Sequence, residues 1–149
     1  VAVLLAAVLC LSFADCGGDK VTDKTVDAAA MFQALLTDVT YTDNATELAS
    51  SMAGVLLGGE LPDGTEAYLA ANDSAYLRCA VFACKDKDAA AAVKKLIQTY
   101  IDDSINAKYN VDEVALLQNA KIHSMGNYVA VAVTSDTDNV NKVIDQYFA

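Results

Sequence analysis

The feature that most constrains the fold is a strand, turn and amphipathic-helix pattern that occurs twice, 50 residues apart. Residues 127–148, NYVAVAVTSDTDNVNKVIDQYF, contain an alternating apolar run, two aspartates and an amphipathic segment. Residues 77–98, LRCAVFACKDKDAAAAVKKLIQ, contain the same features in the same order. Apolar residues with a period of two predict a strand, and apolar spacing of i, i+3, i+4 and i+7 predicts a helix. The chain is therefore predicted to contain an internal repeat.

A further strand precedes each copy, so the full repeated unit is predicted to be two strands followed by a helix. Residues 72–74 and 125–127 are turn residues between paired apolar runs, as in hairpins. Two such units favour an α+β fold, with one four-stranded, mainly antiparallel sheet and both repeat helices on one face. Residues 26–39 are predicted to form a helix before the first unit, and residues 46–57 a shorter second helix.

The candidate binding residues lie on the sheet face predicted to point away from the repeat helices. They are Arg78, Ala80, Phe82, Tyr128, Ala130 and Ala132. This face is more apolar than a solvated sheet face requires. Two interpretations are open: the helix at residues 26–39 covers the face, or the face is exposed and binds a partner. The glycine-rich loop at residues 58–64 is a second candidate place for binding.

The N-terminus has the pattern of a targeting signal. Residues 1–14 are apolar without interruption, yet they are too few to span a bilayer as a helix. Such a run is typical of the core of a secretion signal, and we expect the sequence to start inside that signal. The following residues, ADCGGDK, resemble the lipobox of bacterial lipoproteins, in which a cysteine is acylated. Cys16 is the candidate lipidation site, although Asp15 replaces the small residue that normally precedes the cysteine.

These patterns predict the domain organisation. Residues 1–15 are expected to be a truncated lipoprotein signal peptide, residues 16–25 a tether, and residues 26–149 a single α+β domain. The lipid anchor would make the membrane a partner, with the domain on the outer face of the cell membrane. An ordinary secretion signal without lipid, or an exposed leftover hydrophobic segment, is the alternative.

Few residues suggest catalysis or metal binding. His123 is the only histidine, and it has no Cys, Ser or Asp at a recognisable catalytic spacing. Asp86 and Asp88, and likewise Asp136 and Asp138, are spaced as calcium ligands can be. Because each pair lies where a helix is predicted to begin, helix capping is the favoured explanation. No catalytic residue, metal or cofactor is therefore predicted.

The two cysteines of the predicted domain, Cys79 and Cys84, lie on one predicted strand. Their separation of five residues directs them to opposite faces, so they are not expected to form a disulfide with each other. Small buried thiols are the favoured interpretation.

The charge of the chain excludes one class of partner. It contains 10 Lys+Arg and 20 Asp+Glu residues, which give a formal charge of −10. Nucleic-acid phosphates would be repelled by such a surface, so no nucleic acid is expected as a partner. An unknown envelope protein or a small ligand is expected instead.

Four segments carry a family resemblance: ADCGG, AVFACKDKDAAAAVKKLIQTYI, KYNVDEVALLQNAKI and GNYVAVAVTSD. Together they resemble a family of bacterial lipoproteins catalogued as domain of unknown function 4358. That family has no established activity, ligand or catalytic residues, so the resemblance implies location only, as an extracytoplasmic domain tethered by lipid. The sequence thus favours a lipid-anchored binding or interaction domain that is not an enzyme. A self-associating envelope accessory protein and an extracytoplasmic enzyme are the alternatives.

Overall fold

The structure, a computed structural model, describes residues 24–107 and 110–149. Within these residues the chain forms five α-helices and a five-stranded antiparallel sheet, which confirms the predicted α+β class. None of the helices in this part of the chain is long and apolar enough to cross a membrane. Cys16, the predicted signal peptide and most of the tether lie outside the described residues. In chain order the elements are α1 (Ala28–Asp38), β1 (Thr46–Leu48), a 3-10 turn (Ser50–Met52), α2 (Ala53–Leu57), β2 (Glu66–Ala71), β3 (Leu77–Ala83), α3 (Lys87–Ala107), α4 (Val111–Asn119), β4 (Lys121–Met125), β5 (Tyr128–Ala132) and α5 (Thr137–Phe148).

The sheet has the strand order β1-β2-β3-β5-β4, and each strand is antiparallel to its neighbours. The predicted count of four strands is wrong, because β1 forms a fifth strand beside β2. Residues 46–48 were expected to start a helix, but their apolar helical pattern is weak. Pairing with β2 satisfies their backbone groups instead, and the helix that follows, α2, is only 5 residues long.

Helices cover both faces of the sheet. α1 and α5 pack on one face, here named the α1 face, and α2, α3 and α4 pack on the other, the α3 face. The prediction that both repeat helices share one face is therefore wrong. The 50-residue offset makes Ala80 equivalent to Ala130, yet Ala80 pairs with Val131, and Ala130 pairs with Val81. Because successive residues of a strand point to opposite faces, equivalent residues of the two units face opposite layers, and the ββα repeat is not confirmed in three dimensions.

Arg78 is the extra residue of a β-bulge in β3. Ala70 pairs with Cys79 and Ala71 pairs with Leu77, which leaves Arg78 without a partner opposite it in β2. Leu77 consequently packs on the α3 face and Cys79 on the α1 face, although a regular strand would place both on the same side. The bulge therefore sets the register of the central strand and turns Arg78 away from the regular ladder.

Aspartates begin the helices, as the sequence predicted, but they do so in different ways. Oδ1 of Asp86 accepts a hydrogen bond from the backbone N–H of Ala89 at 2.8 Å, so Asp86 caps α3 and Asp88 lies in its first turn. Asp136 precedes α5 without such a cap bond. Its Oδ2 instead accepts from the backbone N–H of Thr40 at 2.9 Å, which ties the start of α5 to the segment after α1.

Candidate functional site

The residues of the predicted binding face do not share one face of the sheet. Tyr128, Ala130 and Ala132 lie on the α1 face, in the core that they share with α1 and α5. Ala80 and Phe82 lie on the α3 face, under α3. All five are buried within the monomer. The predicted face is therefore not an exposed binding surface of this chain, and the one-residue difference in register between β3 and β5 is the reason.

Arg78, the sixth of these residues, is only 1% exposed and is enclosed by two carboxylates. We call Arg78, Asp43 and Glu113 the arginine cage. Nε and Nη2 of Arg78 donate to the two Oδ atoms of Asp43 at 2.6 and 2.9 Å. Nη1 and Nη2 donate to the two Oε atoms of Glu113 at 2.9 and 2.8 Å, and Nη1 also donates to the carbonyl oxygen of Leu77 at 3.1 Å. Because a guanidinium carries five N–H groups, every donor of Arg78 is used.

The cage changes the acid–base properties of its members. The hydrogen bonds from Arg78 lower the pKa of Asp43 to about 2, with a smaller contribution from Nδ2 of Asn72, which donates to Oδ2 of Asp43 at 2.7 Å. Burial lowers the pKa of Arg78, but the hydrogen bonds that Arg78 donates to Asp43 and Glu113 outweigh this effect, so the pKa lies above its ordinary value. Asp43 and Arg78 are therefore both ionised near neutral pH.

The arrangement of the cage indicates a structural role. It joins three segments that are distant in sequence: the loop between α1 and β1 through Asp43, the bulge of β3 through Arg78, and α4 through Glu113. A buried guanidinium with all donors engaged has none left for a ligand. The cavity beside the cage has a volume of about 160 Å³, below the ~300 Å³ at which ligand pockets usually begin.

A larger concavity lies between the first half of α3 and the turn that joins β4 to β5. It has a volume of about 370 Å³, and we call it the α3–β4 groove. Two lysines of α3, Lys87 and Lys94, lie along one side of the groove. The two alanines between them in the lining leave space because their side chains end at Cβ. The lining consists of Lys87, Ala90, Ala91, Lys94, Ser124, Met125 and Gly126.

The wall opposite α3 is the β4–β5 turn, which the end of β3 holds in place. Gly126 has a φ of +59° at the first central position of the turn, a conformation that favours glycine. The backbone N–H of Cys84 donates to the carbonyl oxygen of Asn127 at 2.8 Å, and Nδ2 of Asn127 donates to the carbonyl oxygen of Cys84 at 2.5 Å. These two hydrogen bonds fix the turn relative to α3, so the groove is formed before any ligand binds.

Two lysines contribute to the lining of the α3–β4 groove in a chain that is strongly acidic overall. Lys87 and Lys94 are both exposed, and neither has a carboxylate partner within residues 24–107 and 110–149. No acidic residue is part of the lining. Because the chain has a formal charge of −10, this concentration of positive charge contrasts with the average surface and suits an anionic group.

The glycine-rich loop at residues 58–64 has roles in packing. Gly58 ends α2 with a φ of +73°, the left-handed conformation of a helix end. A Cβ at Gly59 would lie 2.6 Å from Cδ1 of Leu96, so glycine permits the close approach of this loop to α3. The hollow beside the loop is wide and includes Val55, which is 74% exposed, and Glu60. It lacks the positive charge of the α3–β4 groove.

His123 lies on β4, and its surroundings do not resemble a catalytic centre. Burial lowers its pKa, and the positive charge of Lys121 adds to this effect. The cavity beside it has a volume of about 10 Å³, which is at the limit for a single water molecule. Among residues 24–107 and 110–149, no group of three His, Cys, Asp or Glu side chains is arranged to hold a metal ion.

Cys79 and Cys84 are free and buried, which confirms the prediction of unpaired thiols. They lie on opposite faces of the sheet, Cys79 on the α1 face and Cys84 on the α3 face. Burial raises the pKa of Cys79 to about 11, so its thiol is protonated at neutral pH and is a poor nucleophile.

Sequence reasoning missed both the cage and the groove. Arg78 is the only arginine of the chain and lies within an apolar strand, a position where a charge needs a partner. Its partners, Asp43 and Glu113, are each 35 residues away and occur in segments rich in other acidic residues. Lys87 and Lys94 have the i, i+7 spacing that places two side chains on one side of a helix, which was the available indication of the groove.

Comparison with known proteins gives one result. No curated protein and no solved structure gives a significant match to the chain. A family model matches residues 63–134, from the loop before β2 to just beyond β5. The match includes Arg78, Glu113 and every residue that lines the α3–β4 groove, whereas Asp43 lies before it. Residues 63–134 are therefore similar to the family described as domain of unknown function (DUF4358), which confirms the resemblance of the sequence to that domain family.

Proposed function

We propose that this protein is a lipid-anchored, extracytoplasmic binding module that takes an anionic ligand into the α3–β4 groove and has no catalytic activity. The observation that carries this proposal is the pair of exposed lysines, Lys87 and Lys94, on a preformed groove of about 370 Å³ without an acidic lining residue. Concave sites with a few convergent polar groups are the usual places for ligands. A ligand carboxylate or phosphate would gain two ammonium partners that the chain itself leaves available.

The anchor in this proposal rests on the sequence. Residues 1–15 would act as a signal peptide, and Cys16 would carry two acyl chains, enough for stable attachment to a bilayer. Residues 16–25 would tether the domain to the outer face of the cell membrane. Mass spectrometry of the membrane fraction is expected to find acyl chains on Cys16, and a Cys16→Ser variant is expected to lose them and leave the membrane. An unmodified, secreted wild-type chain would contradict the anchor.

The non-catalytic part of the proposal is supported by the placement of the polar side chains. His123 and Ser124 are neighbours in sequence, but β4 directs them to opposite faces, so the hydroxyl and the imidazole do not meet. The donors of Arg78 are all engaged within the cage. Arg78 therefore stabilises the fold, and recognition is left to the groove.

Binding can be tested by NMR with the ¹⁵N-labelled full chain and a capped tri-glutamate peptide as the probe. The backbone amides of Ala90, Ala91 and Gly126 are expected to shift on titration, whereas a capped tri-lysine peptide should leave them unchanged. A variant with Lys87→Glu and Lys94→Glu should lose the response. The control is Lys95→Glu, which makes one such charge reversal on α3 outside the groove lining. Equal responses in the double variant and the control would refute the proposed site.

A second candidate function, self-association in the cell envelope, is favoured by the position of β4. β4 is an edge of the sheet and pairs with β5 on one side only. An unpaired strand edge is a template for pairing with another copy. Sedimentation of the full chain over a wide concentration range tests this alternative. A dimer that is lost when a proline is introduced on β4 would support self-association. A protein that stays monomeric at all concentrations would exclude it.

A further inference from the structure

The outer edge of β4 borders the α3–β4 groove. β4 pairs with β5 from Lys121↔Ala132 to Met125↔Tyr128, and two residues, Gly126 and Asn127, form the turn between the two strands. In a two-residue hairpin the residues that flank the turn exchange both of their backbone hydrogen bonds, and this pattern alternates along the ladder. Met125, His123 and Lys121 therefore bond inward to β5.

Two residues of β4 consequently direct their backbone groups outward. They are Ile122 and Ser124, which alternate with the inward-bonding residues. Their partners across the ladder, Val131 and Val129, belong to the core under α3, so the side chains of Ile122 and Ser124 point to the α3 face. The two outward-facing residues differ in their side chains: Ser124 is part of the groove lining, and Ile122 packs against the core under α3.

We infer that the α3–β4 groove binds an extended acidic segment of another protein, which adds to β4 as an antiparallel sixth strand. This inference rests on the proposed function and specifies its ligand. Residues opposite Ile122 and Ser124 would exchange backbone hydrogen bonds with them, and the side chains of those residues would point to the α3 face. Glutamate or aspartate at these alternate positions would approach Lys87 and Lys94, which complement their charge.

Charge decides between a foreign acidic segment and a second copy of this chain. Two copies would bring together two chains that each carry a formal charge of −10, and neither would supply an acidic partner from its own groove lining, which opposes association. Lys121 at the start of β4 also fits the pattern of edge strands that are protected against pairing with themselves. A short acidic segment presents its charge only to the groove, where the two lysines of α3 are the nearest partners.

The test uses the full chain and a capped heptapeptide with glutamate at its second, fourth and sixth positions and valine or threonine elsewhere. In the inferred pose the glutamates face α3 and their N–H groups face β4, whereas the N–H groups of the other residues face solvent. N-methylation of the three glutamates should therefore weaken binding about tenfold or more, as measured by calorimetry. The same number of N-methyl groups on the alternate residues is the matched control and should change binding less than threefold.

A protein variant tests the same hydrogen bonds from the other side. Ser124→Pro removes the outward N–H without removing a bond to β5, and proline is tolerated on an edge strand. It should weaken binding of the unmodified heptapeptide about tenfold, whereas Ser124→Thr should not, and circular dichroism checks that both variants are folded. Because the N-methylated peptides are used with the wild-type protein, the test does not depend on the folding of the proline variant.

The outcomes separate this inference from the proposed function. Selective loss with methylated glutamates supports antiparallel strand addition. Equal binding of both methylated peptides, with shifts still confined to the groove, overturns strand addition but leaves an anion-binding groove intact. Selective loss with the control peptide overturns the antiparallel pose. No binding of the unmodified heptapeptide overturns both the inference and the proposed function, and concentration-dependent dimerisation through β4 favours a second copy instead.

Discussion

The arginine cage and the α3–β4 groove both contain cationic side chains, but they use their charge in opposite ways. Arg78 is 1% exposed, and all of its donors bond to Asp43, Glu113 and a backbone carbonyl. Lys87 and Lys94 are exposed and have no carboxylate partner within residues 24–107 and 110–149. Internal pairing makes the cage part of the folded structure, whereas the exposed lysines remain available to a ligand.

The two regions should also respond differently to substitution. Removing Arg78 leaves the buried side chain of Glu113 without its cation, and removing either carboxylate takes away half of the partners of Arg78. Removing a groove lysine leaves only solvent where an ammonium group stood. The free energy of unfolding should therefore depend on the cage, and ligand binding should depend on the groove. Substitutions in each region test whether the two properties are separate.

The largest expected effect is that of Arg78→Leu. The side chain of Glu113 is only 9% exposed and would lose its cation, so we expect the free energy of unfolding to fall by about 3–5 kcal/mol. Urea denaturation followed by circular dichroism measures the change. Lys95→Leu is the control for removal of a positive charge from an exposed site. A loss below about 1 kcal/mol for Arg78→Leu would show that the cage contributes little to the fold.

Replacing the two carboxylates of the cage with neutral amides should lower the free energy of unfolding by different amounts. Glu113→Gln replaces one acceptor oxygen with a donor that opposes Arg78, and a loss of about 2 kcal/mol is expected. Asp43→Asn should cost less, about 1 kcal/mol, because the side chain of Asp43 is 40% exposed and water can replace part of the interaction. The same denaturation experiment ranks the two variants. The reverse order would mean that burial does not determine the contribution of each carboxylate.

The turn of the groove offers a smaller structural perturbation. Gly126→Ala places a side chain at a φ of +59°, and the strain should reduce stability by about 1 kcal/mol. Because the turn is one wall of the groove, binding of an anionic probe should weaken as well. Gly54, which lies within α2, is a less suitable control because a Cβ there would be 2.9 Å from the carbonyl oxygen of Gly59. Gln146→Ala, an exposed substitution on α5, is the better comparison for a small unrelated change.

The pH dependence of the cage should be modest. The pKa of Asp43 is lowered from 3.8 to about 2, so its ionised form stabilises the fold above about pH 4, and this contribution is lost as the pH falls toward 2. Partial exposure of Asp43 limits the contribution to less than about 1 kcal/mol. Wild-type and Asp43→Asn proteins should therefore differ in stability at pH 5 and converge near pH 2. A constant difference across that range would show that the carboxylate charge is not responsible.

The sequence predicted the elements well where a local pattern determines them. The hairpins around residues 72–74 and 125–127, the helix that Asp86 caps and the burial of Cys79 and Cys84 all follow from periodicity or turn chemistry. The assignment of faces failed because the Arg78 bulge and the register of β3 against β5 depend on pairing between distant segments. A shift of one residue reverses every side chain of a strand.

The candidate sites were less predictable than the fold, for a related reason. The cage needs Asp43 and Glu113, which are separated from Arg78 by 35 residues on either side, and the groove needs α3 to lie beside the β4–β5 turn. Neither arrangement has a short motif. The isolated arginine in an apolar strand and the i, i+7 lysines on a helix were the only local indications, and each fits many surfaces that have no ligand.

The smallest effect on stability is expected for a variant with Lys87→Gln and Lys94→Gln. Its effect on binding should nevertheless be clear. Neither lysine has an ion-pair partner in the described part of the chain, so the free energy of unfolding should stay within about 0.5 kcal/mol of wild type. Binding of the glutamate heptapeptide should nevertheless weaken about tenfold, because two charge-assisted contacts are removed. Lys95→Gln on the same helix should leave both quantities unchanged. If the double variant instead loses more than about 1 kcal/mol of stability, the lysines take part in the fold as Arg78 does, and the separation of a structural cage from a binding groove does not hold.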